Sequence, residues 1–462
     1  MSLPEAFVNQ TKTLLGTEAP KVLATIQAHE PPVSIRLNGQ KLTTTPDLAE
    51  VPWAPNGFYL PERPVFTKDP WLHAGAYYVQ EASSMMLEQA VAQSRPEHPI
   101  RVLDLCAAPG GKSTHLLSML HANDWLVANE VIQARARILH ENLAKWGSAN
   151  AVVTCDDPAS FGQLEGFFDL VVVDAPCSGE GMFRKDPAAI AEWSPEHVQL
   201  CADRQRRILA DVWDTLTYDG VLIYSTCTFN TDENEQMLDW LLQNFEAELI
   251  AINLQQEWGA RSFTDSAAGH KMIPGLVQGE GYCFFVLRKK NGADRWEAEG
   301  LSRRKARKQR GKRVAKEIEV KGLRSVDGLK VIAQDQLLVA TPFPQELDAL
   351  RKHVRVEKSG VLLGEQKKNK VVPAHEFALS DLLESDSYPA VELTYEQALS
   401  YLMKAPFDMQ ADRGFQTVQY AGQTLGWINH LGNRFNNLYP ANWRIQKDFR
   451  AEKPWTLQTY FE

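Results

Sequence analysis

Leu103-Asp-Leu-Cys-Ala-Ala-Pro-Gly-Gly-Lys-Ser-Thr-His-Leu116 passes from an apolar run, through a turn with proline and two glycines, into residues that suit a helix. Strand, tight turn and helix start in that order open a doubly wound α/β sheet. Gly110 and Gly111 permit close backbone approach. The helix start beyond them offers free N–H groups and the positive end of its dipole to an anionic group.

Three ligand classes use such a turn. A phosphate loop needs G-x-x-x-x-G-K-[ST], and Gly111-Lys112-Ser113 matches its end, but Cys106 stands where the first glycine belongs. A dinucleotide fingerprint needs G-x-G-x-x-G, which Cys106-Ala-Ala-Pro-Gly-Gly111 does not supply. The third class binds S-adenosyl-L-methionine (SAM), which carries an α-carboxylate and a ribose diol. Its expected companion is an acid ending the second strand, and Val127-Ala-Asn-Glu130 provides one.

Two cysteines stand at the ends of later apolar runs. Phe168-Asp-Leu-Val-Val-Val-Asp174 leads to Ala175-Pro176-Cys177, and Gly220-Val-Leu-Ile-Tyr-Ser-Thr226 leads to Cys227. Both runs read as buried parallel strands. Ligands lie outside the carboxyl ends of such strands, and neighbouring strands are about 4.8 Å apart. If the two are adjacent, both thiols face one crevice, one as nucleophile and the other as its assistant.

Working outward, alternating strand and helix patterns cover residues 76–290. Strands are predicted over 101–105, 125–129, 151–154, 168–174, 221–226 and 282–287, with helices over 112–120, 133–145, 195–216 and 232–244. Residues 1–75 mix an amphipathic helix (Leu3, Phe7, Thr11, Leu14, Leu15) with Pro-rich loops and the strand-like Val33-Ser-Ile-Arg-Leu-Asn38, and read as a small α+β appendage. Residues 291–317 form a linker, 318–388 a small α+β unit, and 389–462 a β-rich unit full of Trp, Phe, Tyr and Asn.

Composition bounds the rest. The 462 residues suffice for about three domains. No apolar run approaches the ~20 residues that span a bilayer, and the N-terminus lacks a secretion pattern. The six cysteines lack disulfide-framework or zinc spacing, so free thiols in a reducing cytoplasm and no metal are expected. The net charge of −9 conceals eight basic residues and no acid between Arg303 and Arg313, which leaves −17 on the rest of the chain. That run reads as a solvated tether that can also contact phosphates.

Together these segments resemble the Sun family of RNA cytosine-5 methyltransferases, in its bacterial ribosomal-RNA branch. The likeness is dense at Cys106–Lys112, Asp174-Ala-Pro-Cys-Ser-Gly-Glu-Gly181, Arg184-Lys-Asp-Pro187 and Tyr224-Ser-Thr-Cys-Thr-Phe229. It is weaker at Ser34–Asn38, at Gln80-Glu-Ala-Ser-Ser84 and in the last 40 residues. The resemblance implies a Rossmann-like SAM-dependent methyltransferase core and a C-terminal PUA-like RNA-binding domain. It implies SAM against Cys106, Ala107, Ala108, Pro109, Gly110, Gly111 and Lys112, with Glu130 on the ribose and Asp157 near the adenine amino group. Asp156 is adjacent, and that assignment can slip by one. Arg135 is either a further cofactor contact or a surface arginine of its helix.

Asp174 is placed by the family between cofactor and target base, Cys227 as the attacking thiol and Cys177 as the thiol that assists release. The residue types alone leave the two thiols interchangeable. Lys185 and the SAM sulfonium are the positive charges expected to favour a Cys227 thiolate. Arg36, Tyr77, Tyr78 and the stretch Trp427–Arg444 are candidate RNA contacts, by stacking and by phosphate pairing. Ribosomal RNA is the expected partner of what is expected to be a monomer. Transfer RNA is the alternative substrate, and a non-catalytic RNA-binding factor the alternative of another class.

Overall fold

The computed structural model describes residues 2–28, 31–263, 266–297, 319–367 and 370–461. At its centre is a ten-stranded sheet, lined up as β10-β11-β12-β8-β7-β4-β5-β6-β15, with β9 pairing β12. Its strands are β4 (Arg101–Asp104), β5 (Trp125–Asn129), β6 (Ala151–Thr154), β7 (Phe168–Asp174), β8 (Leu216–Thr226), β9 (Ala247–Leu249), β10 (Arg261–Phe263), β11 (Ser266–Met272), β12 (Tyr282–Lys289) and β15 (Val356–Ser359). Strands β4 to β8 are mutually parallel, and β12 closes one side antiparallel to β8.

Alternation along each strand builds the two faces. Val102, Leu126, Leu170, Val172 and Ile223 point into one hydrophobic cluster, and Leu103, Val127, Val171, Val173 and Leu222 into the other. Both faces are therefore covered, as the unbroken apolar runs require. The chain builds β4, β5 and β6 outward in one direction, then crosses back to place β7 on the other side of β4. The carboxyl ends of β4 and β7 flank this reversal, where an open α/β sheet binds its ligands.

Three further sheets surround the core. Strands β1 (Val33–Leu37), β2 (Gly57–Leu60) and β3 (Tyr77–Val79) form a small antiparallel sheet in the order β2-β1-β3. Because β3 belongs to it, the expected break at 75/76 falls just before a strand of this sheet instead of after it. Strands β13 (Lys330–Gln334), β14 (Leu337–Thr341), β16 (Val361–Lys367) and β17 (Lys370–Pro373) form the second, and β18 (Ala390–Glu392), β19 (Gly414–Tyr420), β20 (Gln423–His430) and β21 (Phe435–Asn437) the third.

Two features depart from the expected beads on a chain. Strand β15, from the unit expected at 318–388, pairs with β6 and becomes the core sheet's edge. Nearby Leu347, Leu350 and Val354 are buried in the core cluster. The first residues of the expected linker are also docked: Arg295 Nε lies 2.8 Å from Asp169 Oδ1, and the Trp296 ring packs on Phe167. The basic run 303–313 lies outside the described residues.

The N-terminal helix Glu5–Leu15 braces the site rather than standing apart. Its Phe7 sits edge-on to Phe183, Trp193 and Phe229 at centroid distances of 4.9, 5.5 and 6.0 Å. Arg36, expected as an RNA contact, is 1% exposed. It donates to Gln80 Oε1, Thr114 Oγ1 and Ser118 Oγ and lies over the Trp146 ring, so it ties β1 to the core. Tyr77 is likewise buried, with its hydroxyl donating to Asp69 Oδ2.

Candidate active site

The turn after β4 is shaped by Gly110, whose φ of +117° opens the N-terminus of the helix Gly111–Met119. Gly111 lies under the Tyr78 ring, and a Cβ there would stand 3.4 Å from Tyr78 Cε1. Ala107 N donates to Asn129 O at 2.8 Å, stitching the turn to β5. Beneath it, the Cys106 thiol is pushed far up by burial and then by the nearby carboxylates, so it packs as a neutral thiol.

Across from the turn, Glu130 ends β5. Its carboxylate accepts from Ile132 N and pairs with Arg135 Nη1 at 3.1 Å, while Arg135 Nη2 donates to Ala108 O. Arg135 thus fastens the acid to the turn. Asp157 begins the short helix Pro158–Phe161, accepting from Ala159 N, and lines the same cleft as Glu130. Asp156 is committed elsewhere: it accepts from Asp157 N, Ser160 Oγ and Arg355 N. Between these two acids Val131 and Ile132 are 52% and 51% exposed, an uncovered apolar wall.

Strands β7 and β8 are adjacent and in register, Asp174 opposite Ser225. The two cysteine loops therefore meet, with Cys177 Sγ 3.1 Å from Cys227 Sγ. Gly181 N donates to Cys227 O at 2.8 Å, and a Cβ on Gly181 would come within 2.6 Å of that oxygen. The Cys177 thiol is held well above its ordinary range, first by donating to Cys227 and then by burial.

Asp174 accepts from Ser225 Oγ at 2.8 Å and pairs with Lys112 Nζ at 2.8 Å. Burial is the largest single influence and opposes the Lys112 charge, but Asp174, Tyr282 and Asp104 together outweigh it and favour the ammonium. Lys112 also lies over the Tyr282 ring, 5.2 Å from its centroid. Sequence reading placed Lys112 only with the turn; its partnership with Asp174 spans 62 positions and leaves no local signal.

Two clefts meet at this point. One, of about 560 Å³, runs past Glu130, Ile132, Asp157, Asp174, Cys177 and Cys227. The other, of about 470 Å³, runs past Arg63, Tyr78, Lys112, Asp174, Lys185 and Cys227. Cys106, Ala108, Asp174, Met182 and Cys227 border both. Two substrates entering from opposite sides would therefore meet over the thiol and the acid. Lys185 lies 3.9 Å from Glu280 Oε1, in the second cleft. Among the described residues no His/Cys/Asp/Glu cluster suits a metal ion, and no helix is long and apolar enough to cross a membrane.

Comparison with known proteins places this arrangement. A family model described as 16S rRNA methyltransferase RsmB/F matches residues 91–288. The N-terminal domain of 16S rRNA methyltransferase RsmF matches residues 3–82, and the methyltransferase RsmF PUA domain residues 388–445. A Ribosomal RNA small subunit methyltransferase F from Shewanella piezotolerans is 30% identical over 419 residues, 87% of each chain. One from Vibrio campbellii is 30% identical over 469 residues, covering 95% of this chain and 97% of its own. The chain belongs to this ribosomal RNA methyltransferase family.

The family membership carries the Rossmann-like core and the PUA domain expected from the sequence. A solved methyltransferase homologue from Pyrococcus horikoshii has 26% identity and a TM-score of 0.52, covering 62% of this chain and 95% of its own. The RsmF PUA match falls on the sheet β18–β21. There Trp427 and Tyr439 are core residues, whereas Arg434 and Arg444 are exposed. Tyr78, also expected to touch RNA, lines the second cleft.

Proposed function

We propose that this chain is a SAM-dependent RNA (cytosine-5-)-methyltransferase acting on 16S ribosomal RNA. The observation that carries this reading is the Cys177–Cys227 pair, 3.1 Å apart just beyond the carboxyl ends of β7 and β8, in one cleft with Asp174. Carbon-5 of cytosine is too weak a nucleophile to accept a methyl group unaided. A thiolate added to carbon-6 makes it enamine-like, which divides one hard step into two easier ones.

The first cleft fits SAM. Glu130 offers a carboxylate for a ribose diol, the exposed Val131–Ile132 wall an apolar face for adenine, and Asp157 an acceptor for an exocyclic amine. The helix start after Gly110, where the first cleft joins the second at Cys106 and Ala108, suits a carboxylate. Bound across this join, SAM would supply the electrophilic methyl group, with Glu130, Arg135 and Asp157 holding it from the first cleft and the turn Cys106–Lys112 from the join.

The chain's own residues then divide the work. Cys227, accepting a hydrogen bond from Cys177, adds to carbon-6 as the carbon-5–carbon-6 π bond opens. Asp174, held between the Lys112 ammonium and Ser225, would protonate or hydrogen-bond ring nitrogen-3 as charge develops there, with Lys112 as the proton source behind it. General acid–base help of this kind is typically worth ~10²–10⁴ in rate. After carbon-5 is methylated, water takes the carbon-5 proton, the C–H electron pair re-forms the carbon-5–carbon-6 π bond, and the Cys227–carbon-6 pair returns to sulfur as a thiolate, which the Cys177 thiol stabilises by donating to it. The second cleft, with Tyr78 as a stacking surface and Arg63 and Lys185 as cations, would receive the extruded base and its phosphates.

Incubation with labelled SAM and total cellular RNA, followed by mapping of 5-methylcytosine, tests the reading. Label at cytosine carbon-5 in 16S RNA is expected. Label confined to transfer RNA, or to another base or ring position, would contradict it.

A further inference from the structure

Two buried glutamates lie directly behind the thiol pair, and each belongs to one cysteine loop while holding the other. Glu180, three residues after Cys177, accepts from Phe229 N at 2.9 Å and Asn230 N at 3.0 Å on the Cys227 loop. Glu233, six residues after Cys227, accepts from Ser178 N at 3.0 Å on the Cys177 loop. The clasp is reciprocal. Glu180 is 1% exposed and Glu233 0%.

Neither has a cation. Among the described residues no Lys, Arg or His pairs with Glu180 or Glu233, although burying an unpaired carboxylate is costly. Every partner is instead an N–H donor. Glu180 also accepts from Gln10 Nε2, Trp193 Nε1 and Asn230 Nδ2. Glu233 also accepts from Gln205 Nε2 at 2.7 Å and Asn230 Nδ2 at 2.8 Å. Burial is the largest influence on the Glu233 carboxyl and pushes it up, and the donors from Ser178, Asn230 and Gln205 oppose that rise. The two anions repel each other, so packing alone gives no reason for both.

We propose that Glu180 and Glu233 are positioning residues for the thiol pair. Glu180 fixes the spacing of the two cysteine loops, and the negative charge of Glu233 keeps the shared proton on Cys177 and the thiolate on Cys227. An anion beside Cys177 disfavours a second negative charge there, and Glu233 is among the groups that push this thiol up. The other titratable groups that face Cys177 do not single it out. Cys227 is its hydrogen-bond partner, Tyr224 is buried with its hydroxyl donating to Gln205, and Asp174, Arg204 and Arg207 line the cleft that both thiols share.

This inference rests on the assignment of Cys227 as nucleophile, so its first readout, thiol labelling, is chosen to need neither RNA nor SAM. The full chain is labelled with iodoacetamide across a pH series, and Cys177 and Cys227 are read separately by peptide mapping. In the unsubstituted protein Cys227 is expected to label at lower pH than Cys177. In Glu233→Gln, which keeps the shape and loses the charge, the Cys177 curve is expected to move to lower pH by on the order of one unit. In Glu180→Gln that curve is expected to stay in place while kcat falls at least tenfold with KM for RNA unchanged. The unsubstituted protein alone decides if Glu233→Gln fails to fold. Cys177 labelling before Cys227, an unmoved Cys177 curve in folded Glu233→Gln, or full kcat in Glu180→Gln would each overturn the proposal. A failure to methylate RNA in the presence of the expected labelling order would instead count against the proposed function.

Discussion

At the residue scale the site depends on one absent side chain. Gly181 lets the Cys177 loop lie against the carbonyl of Cys227, where a methyl group would need to sit 2.6 Å from that oxygen and equally close to Gly281 O. Gly181→Ala must therefore part the two loops, and reacting atoms displaced by about 1 Å can cost on the order of 10²-fold in rate. A kcat loss of that order, with SAM affinity retained by titration, is the expected outcome. Single-residue signals were also the most legible. The strand–turn–helix at Leu103–Leu116, the acid Glu130 after a strand and a cysteine after each of two apolar runs are local patterns that need no knowledge of the fold. The Lys112–Asp174 pair and the Glu180–Glu233 clasp were not legible, because each joins loops 50 or more positions apart and neither has a spacing rule.

At the scale of elements, the core sheet is extended by a strand from a different part of the chain. Strand β15 carries Lys358, whose Nζ lies 3.0 Å from Glu376 Oε2, and His140 Nε2 of the helix Gln133–Trp146 lies 2.7 Å from Glu376 Oε1. Burial alone would raise the Glu376 carboxyl, but Lys358 and His140 outweigh it and hold it at about 2. The sign follows from linkage. Above about pH 4.5 both folded and unfolded chains carry the anion, and the stabilisation is complete. As pH falls from there toward 2 the unfolded chain takes up the proton first, and the stabilisation is lost. Urea unfolding across this range is expected to show Glu376→Gln with a flatter acid dependence than the unsubstituted protein. The alternating core strands could be read from sequence because apolar runs and their turns are local. Val356–Ser359 could not, since a short strand with two charged residues at a sheet edge looks like any surface hairpin.

At the scale of the whole molecule, the accessory units are structural parts of the catalytic core's surroundings and not separate appendages. Phe7 and Gln10 brace the cysteine loops, Leu457 N donates to Asp69 Oδ2 of the N-terminal unit, and β15 covers the β6 edge. A chain ending at residue 300 would uncover that edge and the Leu347–Leu350 contact. Its Tm is expected to fall, and with it methylation, even before any loss of RNA affinity. A cleaner probe of RNA contact is to neutralise the eight basic residues between Arg303 and Arg313. Against single-stranded RNA, the slope of log affinity on log salt is expected to shallow by up to about 6, with SAM affinity unchanged. An unaltered slope would mean that the run only tethers.

In the proposed function two thiols 3.1 Å apart act in succession, Cys227 attacking and Cys177 releasing. Denaturing gels after incubation with RNA and SAM read this most directly, because an unreleased adduct migrates as a covalent protein–RNA band. Cys177→Ala is expected to accumulate that band, and Cys227→Ala to give neither band nor methylation. A band from Cys227→Ala and none from Cys177→Ala would contradict the account and reverse the two roles.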